Sequence, residues 1–190
     1  MFVPKPDGRL RLCGDYRQLN KLTLLDKYPL PLMSELRDRV VGGTIFMKLD
    51  LQDGYHLIRI KNGEEWKTAF RTRYGQYEYK VMSFRLVNAP ATFQLMMNKI
   101  LREFLNQGVV VYLDDILIYS KTHAEPVAMV KKVLSRLMEH QLGVFIKKPE
   151  FDVKGVEFLG YIVATDGMTM STGKVDSTRK WKAPRSVKEV

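Results

Sequence analysis

Apolar and polar positions alternate with a period of two through residues 44–50, so that Ile45, Met47 and Leu49 face one way and Phe46, Lys48 and Asp50 the other. A period of two is the mark of a β-strand. Shorter runs predict strands at 57–60, 66–70 and 77–81, with turns at Asn62-Gly63 and Tyr74-Gly75. From Asn88 the period changes. Phe93, Met96, Met97, Ile100, Leu101 and Phe104 recur at helical spacing, which predicts a long helix with Pro90 tolerated in its first turn. Residues 109–119 read as a β-hairpin, followed by a second amphipathic helix whose stripe is Val127, Val130, Leu134, Leu137 and Met138.

The ends of the chain are more punctuated. Lys5-Pro6-Asp7-Gly8-Arg9 reads as a turn joining Phe2-Val3 to Leu10-Arg11-Leu12, and 15–20 as a short helix. After the extended Tyr28-Pro29-Leu30-Pro31 linker, Ser34 is expected to cap a helix carrying Leu36 and Val40, stopped by Gly42-Gly43. The tail predicts strands at 156–159 and 161–164, a turn at Asp166-Gly167, and a helix over 174–181. No repeat appears, and strands and helices do not alternate as βαβ units. The pattern predicts an α+β fold, an antiparallel sheet with helices on one face.

With 45% hydrophobic residues among 190, the chain has enough apolar material for a real core. No apolar run approaches the roughly 18 residues of a membrane span, and no secretory leader opens the chain. The single cysteine, Cys13, excludes an internal disulfide and a cysteine-built zinc site. An intracellular, membrane-free protein is expected. Lys and Arg number 31 against 21 Asp and Glu, a net charge of +10. That excess favours a polyanionic partner held through phosphate contacts, and its scatter along the chain favours a folded groove over a basic tail.

The most informative stretch is Val109-Val110-Val111-Tyr112-Leu113-Asp114-Asp115-Ile116-Leu117-Ile118-Tyr119, where two apolar strands meet at adjacent acids. A two-residue hairpin turn ordinarily wants Asn-Gly or Asp-Gly, and breaches of local rules gather at functional sites. Alternation puts Val110, Tyr112 and Asp114 on one face, and Asp50 closes a separate strand. An acidic surface turn is the plain alternative. Carboxylates clustered at strand ends are, however, what Mg²⁺ takes alongside substrate phosphates. Two such ions can hold the attacking and leaving oxygens of an in-line phosphoryl displacement. A glycosidase pair or an aspartic dyad fits so basic a chain poorly.

Tyr112-Leu113-Asp114-Asp115 resembles the YxDD signature of reverse transcriptases. The blocks starting at Leu10-Arg11-Leu12-Cys13, Lys48-Leu49-Asp50-Leu51, Trp66-Lys67-Thr68-Ala69-Phe70, Asn88-Ala89-Pro90-Ala91-Thr92-Phe93-Gln94 and Val156-Glu157-Phe158-Leu159-Gly160-Tyr161 follow in family order. Together they resemble the polymerases of gypsy-type LTR retrotransposons along essentially the whole chain. Ordered motifs carry far more weight than YxDD alone.

The resemblance implies a right-hand polymerase: a palm with an antiparallel sheet backed by helices, and partial fingers. Residues 1–49 would be partial fingers and the start of the palm. Residues 50–190 would be palm with the rest of the fingers (strands about 57–81), ending at the primer grip and the start of the thumb. It implies RNA-directed DNA polymerase activity, with catalytic and metal-binding roles for Asp50, Asp114 and Asp115, two Mg²⁺ ions and Mn²⁺ as a substitute. Asp50 and Asp114 would be the direct ligands of both ions. Lys5 and Arg11 would clasp the incoming dNTP, Tyr55 would collide with a ribose 2′-hydroxyl, and Phe84 and Gln94 would lie near nucleotide and template. Phe158, Leu159, Gly160 and Tyr161 would form the primer grip, and Lys147 or Lys148 would protonate departing pyrophosphate. The implied partners are primed RNA or DNA template, dNTP, and the thumb and RNase H segments of a larger polyprotein, in a cytoplasmic virus-like particle.

The resemblance breaks nearest the inferred chemistry at 81–86. Where the family has V-M-P-F-G-L, this chain has Val81-Met82-Ser83-Phe84-Arg85-Leu86. Glycine there admits close backbone approach, so Arg85 predicts an obstructed pocket, a distorted turn or an added phosphate contact. Ser83 gives up proline's rigidity; Gly14, Pro126 and Pro149 are further differences. The alternative function is therefore a catalytically weakened or inactive relic that acts as a nucleic-acid-binding module.

Overall fold

The computed structural model describes residues 2–4, 8, 10–51, 54–121, 125–145 and 155–181. In chain order its elements are β1 (Phe2–Pro4), β2 (Leu10–Leu12), α1 (Arg17–Leu22), α2 (Met33–Val40), β3 (Ile45–Leu51), β4 (Phe70–Thr72) and β5 (Gly75–Tyr77). There follow α3 (Ala89–Ile100), β6 (Val109–Tyr112), β7 (Asp115–Ser120), α4 (Glu125–Glu139), β8 (Val144–Phe145), β9 (Gly155–Phe158), β10 (Tyr161–Ala164), β11 (Gly167–Met170) and α5 (Thr172–Arg179). The centre is a four-stranded sheet in the order β6-β7-β3-β8, with every pairing antiparallel.

The alternation read from 44–50 decides which side each core meets. Met47, Leu49 and Leu51 join Val109, Val111, Ile116 and Ile118 against Phe93 and Met97 of α3, Leu101 just past its end, and Val133 and Leu137 of α4. Phe46, Val110 and Leu117, on the opposite face, pack on Leu36 and Val40 of α2 and on Phe158 and Val163 of the β9–β10–β11 sheet. Each such buried side chain contributes roughly 1.5–3 kcal/mol. A one-residue slip would exchange the two faces, so the register Asp50↔Asp115 is set by this packing. Helices were expected on one face only; α2 and the small sheet cover the other.

Other expectations need correction. Residues 65–68 form a 3₁₀ turn instead of a strand. Buried Thr68 closes it: its hydroxyl donates to the Glu65 carbonyl at 2.7 Å and accepts the Tyr79 N–H at 2.9 Å. The strand expected at 57–60 reduces to a single bridge, Arg59↔Val81, and in place of the strand expected at 77–81 stands β5, which ends at Tyr77 and pairs with β4 across a turn at 73–74 rather than 74–75. The first helix starts at Arg17. In α2, Leu32 holds the capping position and Ser34 lies inside the first turn. The stripe of α4 is rotated: Val133 is buried, while Val127 and Met138 are exposed. Strand β11 and the short β8 beside β3 were not anticipated. The 5–9 turn, apart from Gly8, lies outside the described residues.

Candidate active site

Antiparallel pairing brings the three acids to one end of the central sheet. Asp50 on β3 is directly opposite Asp115 on β7, and the Leu51 N–H donates to the Asp114 carbonyl at 3.2 Å. Asp114 is therefore tied through its backbone to the strand that carries Asp50.

The hairpin between β6 and β7 turns one residue earlier than its sequence implies. Tyr112 pairs with Asp115, so the two turn residues are Leu113 and Asp114. Leu113 takes a φ of 54°, which breaks the alternation. Asp115, rather than Asp114, consequently shares a face with Tyr112. Leucine in the left-handed region costs roughly 1–2 kcal/mol and persists only where neighbours impose it. Gln94 of α3 supplies the imposition. Its Oε1 accepts the Leu113 N–H at 2.8 Å, while its Nε2 donates to the Val111 carbonyl at 3.2 Å and to Asn98 Oδ1 at 2.9 Å. Asn98 in turn donates to the Tyr28 hydroxyl at 2.8 Å. Gln94 is 0% exposed. Expected near nucleotide and template, its amide hydrogen-bonds the backbone flanking the turn and Asn98.

Electrostatics mark the same spot. Burial pushes the Asp114 carboxyl above its ordinary value, with the neighbouring carboxylates Asp115 and Asp50 adding to the rise, against the opposing pull of its own backbone N–H and, more weakly, of Lys48. Lys48 Nζ stands 2.7 Å from Asp115 Oδ1. Among the described residues no three His, Cys, Asp or Glu side chains are already gathered around one point for a cation. The donor chemistry still fits a hard divalent ion, because carboxylate oxygens are its preferred ligands and a cation relieves the repulsion among them.

Tyr55 lies beside this cluster, its ring stacked on Phe93 at 4.9 Å between centroids. Burial and then the Asp114 charge push its hydroxyl up to about 12. Gly54 permits the approach: a Cβ there would stand 2.8 Å from Phe93 Cζ and 3.7 Å from Asp114 Cβ.

Arg11 and Phe84 form a second group. The Arg11 guanidinium lies 5.0 Å from the Phe84 ring centre, and Arg85 reaches the same ring at 5.9 Å. Arg85 is exposed and has no positive φ, so the distorted turn expected from losing glycine does not arise. The segment is pinned from outside. Asn20 Nδ2 donates to the Arg85 carbonyl and Asn20 Oδ1 accepts the Val87 N–H, each at 2.9 Å. Asn88 Nδ2 donates to the Leu24 carbonyl at 2.8 Å, and its Oδ1 accepts the Asp26 N–H at 2.9 Å.

A third group is the β9–β10 turn. Leu159 and Gly160 both have positive φ, 54° and 75°, as a tight two-residue hairpin requires. Phe158 anchors this hairpin beneath the central sheet with Val110 and Leu117. Lys174 of α5 donates to the Leu159 carbonyl at 3.0 Å and lies 4.4 Å from the Tyr161 ring centre. Lys5, Lys147 and Lys148 lie outside the described residues. The sequence reading missed Lys48, Asn98 and the holding task of Gln94. One signal was available: Gln94 is a polar residue on the buried helix face of Ala91 and Met97.

Residues 3–163 match the family described as reverse transcriptase (RNA-dependent DNA polymerase). The chain belongs to the reverse transcriptase family. The Transposon Tf2-3 polyprotein of Schizosaccharomyces pombe is 45% identical over 190 residues, all of this chain and 14% of that protein. The Tf2-7 polyprotein of the same organism is 44% identical over the same span. The expected kinship with gypsy-type retrotransposon polymerases therefore holds, and this reverse transcriptase chain spans about 14% of the length of those curated relatives. Among solved structures, a foamy viral protease-reverse transcriptase in complex with dsDNA superposes with a TM-score of 0.88 at 28% identity, over 99% of this chain and 33% of that one. Another, in complex with an RNA/DNA hybrid, gives 0.83 at 28% identity, over 99% and 25%. The antiparallel sheet backed by helices expected from the motifs matches the fold of these reverse transcriptase structures. None of the described helices is long and apolar enough to cross a membrane.

Proposed function

We propose that this chain is the core of an RNA-directed DNA polymerase that adds deoxynucleotides to a primer 3′-hydroxyl on an RNA or DNA template. The observation that carries the reading is the convergence of Asp50, Asp114 and Asp115 at one end of the central sheet, through the Asp50↔Asp115 register and the Leu51–Asp114 backbone bond. The foamy viral relatives bound to dsDNA and to RNA/DNA hybrid, and the net charge of +10, support a nucleic-acid partner.

In this reading the 3′-hydroxyl attacks the α-phosphate, one phosphodiester bond forms, and pyrophosphate leaves. Asp50 and Asp114 would hold two Mg²⁺ ions, with Mn²⁺ as a substitute. When bound, the ions supply activation of the attacking oxygen and neutralisation of the leaving one. Gln94 fixes the turn that aims Asp114. Arg11, supported on Phe84, clasps the triphosphate through its planar fork, together with Lys5. Tyr55, braced by Phe93, closes the space a ribose 2′-hydroxyl needs. The Phe158–Tyr161 hairpin grips the primer end, and Lys147 or Lys148 protonates pyrophosphate. Residues 1–49 then serve as partial fingers and the start of the palm. Residues 50–190 form palm and remaining fingers up to the thumb, within a cytoplasmic polyprotein particle.

Primer extension on RNA and DNA templates, with Mg²⁺, Mn²⁺ or EDTA, tests this function. Incorporation that needs a divalent ion is expected; signal that persists in EDTA would refute it. Tyr55→Ala is expected to raise ribonucleotide relative to deoxynucleotide incorporation about tenfold or more, read from the two kcat/KM values. Arg85→Gly is expected to change incorporation less than about threefold and to cost roughly 0.5–1 kcal/mol in a melting experiment, because the backbone asks nothing special of that position. A gain of tenfold would instead mark Arg85 as an obstruction.

A further inference from the structure

On β3, alternation sets Lys48 on the same face as Asp50, and across the sheet Lys48 is paired with Leu117 while Asp50 faces Asp115. Lys48 therefore reaches diagonally, and its ammonium lies 2.7 Å from Asp115 Oδ1 with both side chains largely covered, at 31% and 22% exposure. Its charge also acts on Asp114, lowering a carboxyl that burial and the other acids raise. The three acids are thus not a bare anionic hole. They hold an internal cation, and it occupies Asp115.

We propose that Lys48 is the resting counter-ion of the acid cluster, holding Asp115 back and competing with divalent cations for the site. The assignment rests on the polymerase reading above for the identity of the cation. Its physical content is separate. A partly buried carboxylate that loses its cation destabilises the folded state, while the more negative cluster it leaves attracts Mn²⁺ or Mg²⁺ more strongly. An ammonium 2.7 Å from a carboxylate oxygen repels a second cation approaching that oxygen, so its removal favours the metal ion. The pairing also divides the acids, leaving Asp50 and Asp114 as the ready ligands. Removal of a merely structural lysine would lower stability without tightening Mn²⁺ binding.

The experiment compares this chain with Lys48→Met and Lys48→Arg, by calorimetric titration with Mn²⁺ and by thermal melting in EDTA. Lys48→Met is expected to melt lower in EDTA yet bind Mn²⁺ about tenfold tighter; Lys48→Arg should track the unaltered chain in both. The melting deficit should vanish when Asp115→Asn is added, since no charge is then left unpaired. That double variant keeps the question open to measurement should Lys48→Met alone be too unstable. Unchanged or weaker Mn²⁺ binding by Lys48→Met, or an unchanged melt in EDTA, overturns the assignment. If Mn²⁺ binds as expected but no primer is extended, the polymerase reading fails and Lys48 keeps its role. If primers are extended while Lys48→Met behaves as the unaltered chain, only the Lys48 assignment falls. Absence of Mn²⁺ binding by both proteins overturns both.

Discussion

Asp114→Asn is expected to abolish primer extension while raising the melting temperature of the metal-free protein. The carboxyl of Asp114 is pushed up by burial and by Asp115 and Asp50, so its charge is a burden on the folded state without an added cation. Asparagine keeps the shape and removes that burden. The sign follows from linkage: an acid whose folded pKa lies above its unfolded one destabilises the fold once pH exceeds the folded value. The gain should therefore be full above the raised folded pKa, shrink as pH falls through it, and vanish below 3.8, where both states become protonated. A ligand to catalytic ions is worth several kcal/mol of transition-state stabilisation, so the loss of incorporation is about three orders of magnitude or more. Affinity for primed template, measured by anisotropy across a salt series, should hold within about twofold, because phosphate contacts come from basic residues. Full incorporation by Asp114→Asn would remove Asp114 from the chemistry. A lowered melting point would contradict the electrostatic account.

Gln94→Leu is expected to damage both stability and turnover, though Gln94 is 0% exposed. The substitution strands the Leu113 N–H and the Val111 carbonyl and breaks the link to Asn98. Each buried polar group left without a partner costs about 1–3 kcal/mol. At roughly 2–4 °C per kcal/mol for a domain of this size, the melting temperature should fall by about 5–15 °C. Without the acceptor at Gln94 Oε1, the unfavourable φ of 54° at Leu113 is held by the two-residue turn alone, and Asp114 shifts as the turn loosens. A displacement of about 1 Å at reacting groups costs around a hundredfold in rate, so kcat should drop by that order with a smaller change in KM. Leu113→Gly discriminates, because glycine takes positive φ without support. In that background the added cost of Gln94→Leu should shrink; strictly additive losses would mean the amide does not hold the turn.

These two residues mark opposite ends of what a sequence reading captures. Asp114 was legible because two apolar strands meeting at adjacent acids, with Asp50 ending another strand, is an uncommon pattern in a basic chain. Gln94 was legible only as a letter in a motif. Its task depends on α3 lying across the β6–β7 turn, a contact between residues 94 and 113 that no local pattern encodes. The shift of the turn from Asp114-Asp115 to Leu113-Asp114 has the same origin. Turn rules disfavour leucine at positive φ, and a side chain from another element overrules them. Arg85 is the converse case. It looked like damage by comparison with glycine, but Asn20 and Asn88 carry the turn from outside, and the backbone there needs no glycine.

By itself the sequence determined the family, the two-faced β3 strand, the α3 stripe and the identity of the three acids, because periodicity and ordered motifs are properties of neighbouring residues. Tertiary structure alone decided the register that sets Asp50 against Asp115, the buried amide that bends Leu113, and the lysine that claims Asp115. The physical reason is range. Alternation and helical spacing act over a few residues, whereas hydrogen bonds and charges act between whichever groups the packed cores bring within reach.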